Sequence, residues 1–124
     1  MADRRGAERL GHRGEAFAAL WLRLKGYRIL ARRLKTRVGE IDLVAAAPFG
    51  PVCFIEVKAR PLSSAAADAV APAQRARIAR AATLYVAGRP ALAARGARFD
   101  IIAIVPRRLP RHFRDVWRAE DVFA

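Results

Sequence analysis

The chain has 124 residues and is more than half apolar, enough for one domain with one hydrophobic core and a composition that argues against disorder. Lys and Arg outnumber Asp and Glu 24 to 11, and the net charge of +13 points to a polyanionic partner, nucleic acid ahead of a membrane surface. One cysteine excludes an internal disulfide, no stretch reaches the ~20 apolar residues of a membrane helix, and the charged N-terminus has no signal-peptide core, so a cytoplasmic protein is expected.

Residues 1–12 are polar and basic, and read as a flexible N-terminal stretch ahead of a single domain over 13–124. From Gly14 the pattern is helical. Phe17, Leu20, Trp21 and Leu24 recur at three- and four-residue spacing and predict a stripe facing the core. Lys25 and Gly26 then supply a helix stop. A first strand is expected from Tyr27 to about Leu34, and a second over Glu40–Val44. Pro48–Pro51 is a turn. Val52–Lys58 is the strongest strand signal, apolar on both faces in its first half and therefore central. Its short link to the second strand predicts an antiparallel hairpin.

Residues 59–72 hold two prolines without a steady period, and read as a loop or lid. A helix is expected over Ala73–Ala87, with Ile78, Ala82, Tyr85 and Val86 facing the core and Arg75, Arg77 and Arg80 on its other faces. Gly88 and Pro90 end it. Arg98–Val105 reads as a buried strand reached by a crossover. His112–Trp117 reads as a short edge strand. The fold class is α/β: a central mixed sheet of four to five strands flanked by helices, in the order α-β-β-β-α-β.

Alternation along a strand puts Glu40 and Asp42 on one face, with Ile41 and Leu43 on the other; Glu56 and Lys58 share a face in the same way. In a hairpin, Asp42 would face Glu56 with Lys58 beside them. Adjacent carboxylates repel unless a hard cation lies between them, and oxygen ligands suit Mg2+ or Mn2+. Such a cation, held by Asp42 and Glu56 with the backbone carbonyl of Val57, would engage a scissile phosphate and acidify a water. Lys58 would orient that water or offset developing charge. Glu15 joins this set if the first helix packs over the strand ends. Lysine is scarce here, three against 21 arginines, yet one occupies position 58. The bland alternative is a solvated strand end carrying a surface ion pair.

GEIDLVA (39–45) followed by FIEVKAR (54–60) resembles the D-x(n)-E-x-K pattern of the restriction-endonuclease-like, or PD-(D/E)xK, superfamily. The longer order GEAFAALWLRLKGYRIL, R-x-GEIDL, FIEVKAR, QRARIARAATLYV, RFDII resembles the uncharacterised bacterial YraN-like family, over about Gly14 to Val105. That resemblance implies a nuclease-like core related to Holliday junction resolvases. Asp42, Glu56 and Lys58 match its catalytic motif, Glu15 its first-helix acid and Glu40 its hairpin acid; Gln74 falls near a helix position where related nucleases carry Gln. Ala73 stands where a basic residue is common, which weakens the phosphate contact expected of that helix.

The expected function is a metal-dependent endonuclease hydrolysing phosphodiester bonds in DNA, branched DNA included, with Mg2+ or Mn2+. The alternative is a non-catalytic nucleic-acid-binding module on the same scaffold. DNA is favoured over RNA, no membrane is expected, and a junction resolvase would need a homodimer. Arg32, Arg33, Lys35 and Arg37 fit either a solvated strand edge or a phosphate-contacting rim, with Arg60 and Arg75 as further candidates. Phe17, Trp21 and Trp117 are assigned to packing, Cys53 to a buried structural thiol and Asp100 to a local structural role. His12 and His112 receive no role.

Overall fold

The computed structural model describes residues 4–63 and 66–123, with side chains from Gly14 to Asp121. The elements are α1 (Arg4–Leu24), β1 (Arg28–Thr36), β2 (Gly39–Ala46), β3 (Val52–Lys58), a 3-10 turn (Ala66–Ala69), α2 (Pro72–Ala87), α3 (Pro90–Ala93), β4 (Ala97–Ala103), β5 (Arg111–Trp117) and α4 (Glu120–Phe123). One five-stranded mixed sheet runs β1-β2-β3-β4-β5. Only the β3–β4 pair is parallel, because α2 carries the chain back across the sheet. The α/β class and the central place of Val52–Lys58 are as the sequence predicts.

The first helix is longer than its apolar stripe and starts at Arg4. The segment expected to be flexible, 1–12, falls partly outside the described residues, as does the side chain of His12. The helix ends as expected. Gly26 has φ 88; its N–H donates to the Arg23 carbonyl, and the Tyr27 N–H donates to the Leu22 carbonyl, the two bonds of a Schellman cap.

The face of α1 that packs is not the predicted one. Ala18, Ala19 and Leu22 are fully buried, whereas Phe17, Leu20 and Leu24 are 47%, 50% and 74% exposed. Small side chains explain the choice. They face Leu43, Ala45, Cys53, Ile55 and Ile102 on the sheet, and a Cβ at Gly14 would already stand 3.6 Å from Val57 Cγ1. The bulky stripe does not fit so shallow a gap.

The opposite face of the sheet packs against α2 through Ile78, Ala82 and Tyr85, with Val86 partly buried, as expected of that helix, and through Ala79 and Ala81 as well. Phe54, Phe99 and Trp117 line up beneath it, with Phe99 and Trp117 stacked at 4.1 Å. Trp117 is therefore a packing residue, in agreement with its assignment. Gly39 lies where α2 approaches the β1–β2 turn: a Cβ there would meet Arg77 Cβ and its carbonyl oxygen at 3.1 Å.

One departure shapes the site. Residues two apart on a strand normally share a face. Leu43 packs under α1, yet Ile41 packs under α2. On the paired strand Arg32 reaches toward α1, while Leu34 joins the α2 side. Between these two lies Arg33 at φ 52, a left-handed backbone that reverses the alternation. The hairpin thus changes face at Asp42, and the expected sharing of one face by Ile41 and Leu43 does not hold.

Candidate functional site

The β2–β3 ladder runs from Ala46↔Val52 to Leu43↔Ile55 and stops there. One step further the register sets Asp42 opposite Glu56, at the carboxyl end of β3. In place of the next ladder bond, Asp42 Oδ2 accepts the Val57 N–H at 2.8 Å. The N–H and C=O of one strand residue point to the same side. The Val57 carbonyl therefore leans toward Asp42, while the neighbouring Lys58 carbonyl turns away to accept the Ile104 N–H.

Glu56 is held on the α2 side. Gln74 Nε2 donates to its Oε1 at 3.1 Å, and Lys58 Nζ lies 3.6 Å from the same oxygen. The side chains of Glu56 and Lys58 are 13% and 21% exposed. Burial, then the charge of Asp42, pushes the Glu56 carboxyl up to about 7, against the partial relief given by Lys58 and Gln74. Burial also raises Asp42, opposed by the Val57 N–H and by Lys58, and aided by the negative charge of Glu15. The chain therefore brings together Asp42, Glu56 and Lys58, as strand spacing predicts, and adds Gln74, the helix position named from the resemblance.

Glu15 does approach this cluster from α1 and is only 3% exposed. Both its oxygens are taken by Arg32, whose Nε donates to Oε1 at 2.6 Å and Nη2 to Oε2 at 3.0 Å. Among the described residues, no three His, Cys, Asp or Glu side chains are gathered in an arrangement that could hold a metal ion. Glu40 is exposed on the hairpin. Arg33, Lys35, Arg37 and Arg60 are also exposed. Arg75 is turned inward: its guanidinium donates to the carbonyls of Val70 and Ala67 and fastens the segment before α2.

Beside the site, between α1 and the segment after β4, a groove of about 410 Å³ is lined by Gly14, Phe17, Ala59 and residues 104–108. A larger cleft, about 650 Å³, lies at the far end of the sheet around Gly26, Pro48–Pro51 and Arg95. It holds none of the predicted site residues, and Arg95 there bonds the carbonyls of Gly50 and Ala47.

A second polar cluster escaped the sequence reading. Asp100 is 1% exposed on the α1 face. Arg98 grips it with two bonds of 2.9 and 2.8 Å, His112 Nε2 lies 2.7 Å from its Oδ2, and the Asp115 N–H donates to Oδ1. Three residues of β5 oppose Asp100 in the gap between Phe99↔Trp117 and Ile101↔Phe113, and Asp115 has φ 52, so a bulge aims that N–H inward. Lys25 Nζ donates to His112 Nδ1 at 2.9 Å, which leaves the ring proton on Nε2, facing Asp100. Arg98 also donates to the Tyr27 hydroxyl. Burial works to raise the Asp100 carboxyl, but His112, Arg98 and the Asp115 N–H together hold it below its ordinary value. The one available signal was an Asp within an apolar run, two residues from an Arg and therefore on its face. The structural role assigned to Asp100 fits this cluster. Cys53 is buried as expected, and burial pushes its thiol up to about 12, which keeps it protonated.

A family model described as "Uncharacterised protein family UPF0102" matches residues 14–104. A UPF0102 protein of Paramagnetospirillum magneticum (strain AMB-1) is 49% identical over 118 residues, 92% of this chain and 91% of the relative. One from Parvibaculum lavamentivorans is 52% identical over 112 residues, 90% of this chain and 84% of the relative. Another, from Agrobacterium fabrum, is 51% identical over 114 residues, 92% of this chain and 93% of the relative.

Proposed function

This chain belongs to the uncharacterised protein family UPF0102, and from that membership and the geometry of its acids we propose that it is a metal-dependent endonuclease of the restriction-endonuclease-like type, hydrolysing phosphodiester bonds in DNA. The observation that carries the reading is the meeting of Asp42 and Glu56 at the open end of the β2–β3 hairpin, both half-buried and with Lys58 as the nearby cation. Two buried carboxylates side by side are unfavourable unless a charge of opposite sign joins them. Glu56 is pushed up to about 7, by burial first and by the charge of Asp42 second.

The donor set suits Mg2+ or Mn2+: two carboxylates, and a backbone carbonyl at Val57 turned the same way. Once bound, such an ion supplies Lewis acidity toward a phosphate oxygen and makes an attacking water more acidic. Gln74 fixes the rotation of the Glu56 carboxylate. The Val57 N–H fixes that of Asp42. Lys58, compact and only partly exposed, stands at the mouth of the site, where it orients the water and offsets charge on the phosphate as the bond breaks. The net charge of +13 draws the DNA backbone toward the site.

Purified protein is expected to cut linear duplex, single-stranded or four-way-junction DNA with Mg2+ or Mn2+. Cleavage should fall about a hundredfold or more in Asp42→Asn and Glu56→Ala, with DNA binding retained. Wild-type protein that leaves all three substrates intact with both metals overturns the reading. The charge favours a second reading, a non-catalytic nucleic-acid-binding module. That reading expects steeply salt-dependent binding in EDTA, unchanged by Glu56→Ala, and no cleavage.

A further inference from the structure

We propose that Arg32 is the residue that grips the DNA backbone beside the cleavage site, and that Glu15 is its positioning partner rather than a ligand for the cation. This inference rests on the endonuclease reading, which supplies the substrate. The register places Arg32 opposite Leu43, one residue from Asp42, and the helix bearing Glu15 passes over Val57. The two side chains differ in environment. The side chain of Glu15 is 4% exposed and that of Arg32 45%, so a buried carboxylate anchors a guanidinium that is half in solvent.

A guanidinium carries five N–H donors in a rigid fork. Glu15 uses Nε and one N–H of Nη2. Among the described residues the other three donors meet no hydrogen-bond partner, and they lie on the side away from the buried acid, in a geometry suited to phosphate oxygens. A long side chain that is already fixed loses little freedom when it binds, which is the advantage of a preset contact over a free surface arginine. The register adds a reason for the placement: Arg32 pairs with Leu43, which packs under α1, while its neighbour Ala31 packs on the α2 side. Beyond it, the left-handed Arg33 turns Leu34 to the α2 side. The bidentate bond also occupies both Glu15 oxygens, which leaves Asp42 and Glu56 as the acids open to a cation.

The experiment measures binding with cleavage switched off. A labelled four-way DNA junction is titrated in EDTA across a salt series, and Mn2+ binding to each protein is measured separately without DNA. Arg32→Ala should weaken junction binding about tenfold and reduce the slope of log affinity against log salt by about one. Arg32→Lys, at an exposed position and with the charge kept, should retain the slope and lose several-fold in affinity. Glu15→Gln should weaken junction binding in the same direction, add little to Arg32→Ala in the double variant, and leave Mn2+ affinity within about twofold of wild type. Junction binding unchanged in both Arg32 variants overturns the proposal, as does a loss of Mn2+ affinity in Glu15→Gln that equals the loss in Asp42→Asn. If Glu15→Gln does not fold, Arg32→Lys alone decides the binding claim. Failure of the endonuclease reading shows separately, as absent cleavage or unchanged Mn2+ binding in Asp42→Asn.

Discussion

Asp100 and Glu56 lie on adjacent parallel strands, on opposite faces of the sheet, and both are largely removed from water. Their surroundings differ in kind. Around Asp100 the chain assembles a guanidinium, an imidazole and a backbone N–H, and the carboxyl stays ionised despite complete burial. Around Glu56 it supplies one amide donor and an ammonium 3.6 Å away, then adds a second acid. Burial alone therefore does not mark a functional acid. Asp100 is balanced within the fold, whereas Glu56 and Asp42 share the ammonium of Lys58, an imbalance of the kind that perturbed acids at functional sites retain at the expense of stability.

The largest effect expected from breaking this contrast is at Asp100. Asp100→Ala leaves Arg98 without its buried partner and should cost about 3–5 kcal/mol, a fall of roughly 10 °C or more in Tm, read by thermal denaturation. A loss no larger than that of Glu56→Ala would erase the distinction.

The second test uses pH. An unfolded Glu56 ionises near 4.5 and the folded one at about 7. Between those values the folded chain holds a proton that the unfolded chain has released. The group's contribution to stability is therefore complete below about pH 4.5 and is lost as pH rises through 7, by at most about 3 kcal/mol. Asp100 has the opposite sign: its contribution is present above its ordinary value of 3.8 and disappears as pH falls through its lowered folded value. Denaturant titrations at pH 5 and 7 should show wild type faring worse at pH 7, relative to pH 5, than Glu56→Gln does, the lowered His112 adding the same rise with pH to both proteins. Equal slopes for the two proteins would show that Glu56 is not strained.

A smaller effect should come from His112→Gln, which removes a bond to Asp100 and the acceptor of Lys25; a loss of about 1–2 kcal/mol is expected by denaturant titration. The smallest belongs to Gln74→Ala. Its neutral bond to Glu56 is worth about 1 kcal/mol or less, but its loss should raise the Glu56 pKa further, visible as an upward shift in the carboxyl titration by NMR.

Much of the site was legible because strand geometry is local. The alternation of Val52–Lys58 and the short Pro48–Pro51 turn were enough to set Asp42 opposite Glu56, and the family resemblance read from the motifs agrees with the match to UPF0102. The α1 face was misread for a reason the periodicity cannot contain. Phe17-Leu20-Leu24 and Gly14-Ala18-Leu22 are both helical stripes, and only the depth of the gap above Ala45 and Cys53 selects the small one. The pairing of Glu15 with Arg32 was hidden likewise, because it depends on which face of the sheet α1 covers and on the register that sets Arg32 opposite Leu43.

By itself, the order of residues determined the strands, the hairpin, the crossover to a parallel neighbour and the strong positive charge, since each follows from periods of two or 3.6, from turn residues, or from a count. The tertiary structure alone decided which carboxylates are neutralised. Asp100 finds Arg98 nearby in sequence but His112 and Lys25 only through the meeting of β4, β5 and the end of α1, and Glu15 finds Arg32 only because α1 packs over the face that Arg32 shares with Leu43. Charge balance between buried groups depends on distances across the fold, and those distances are fixed by packing rather than by spacing along the chain.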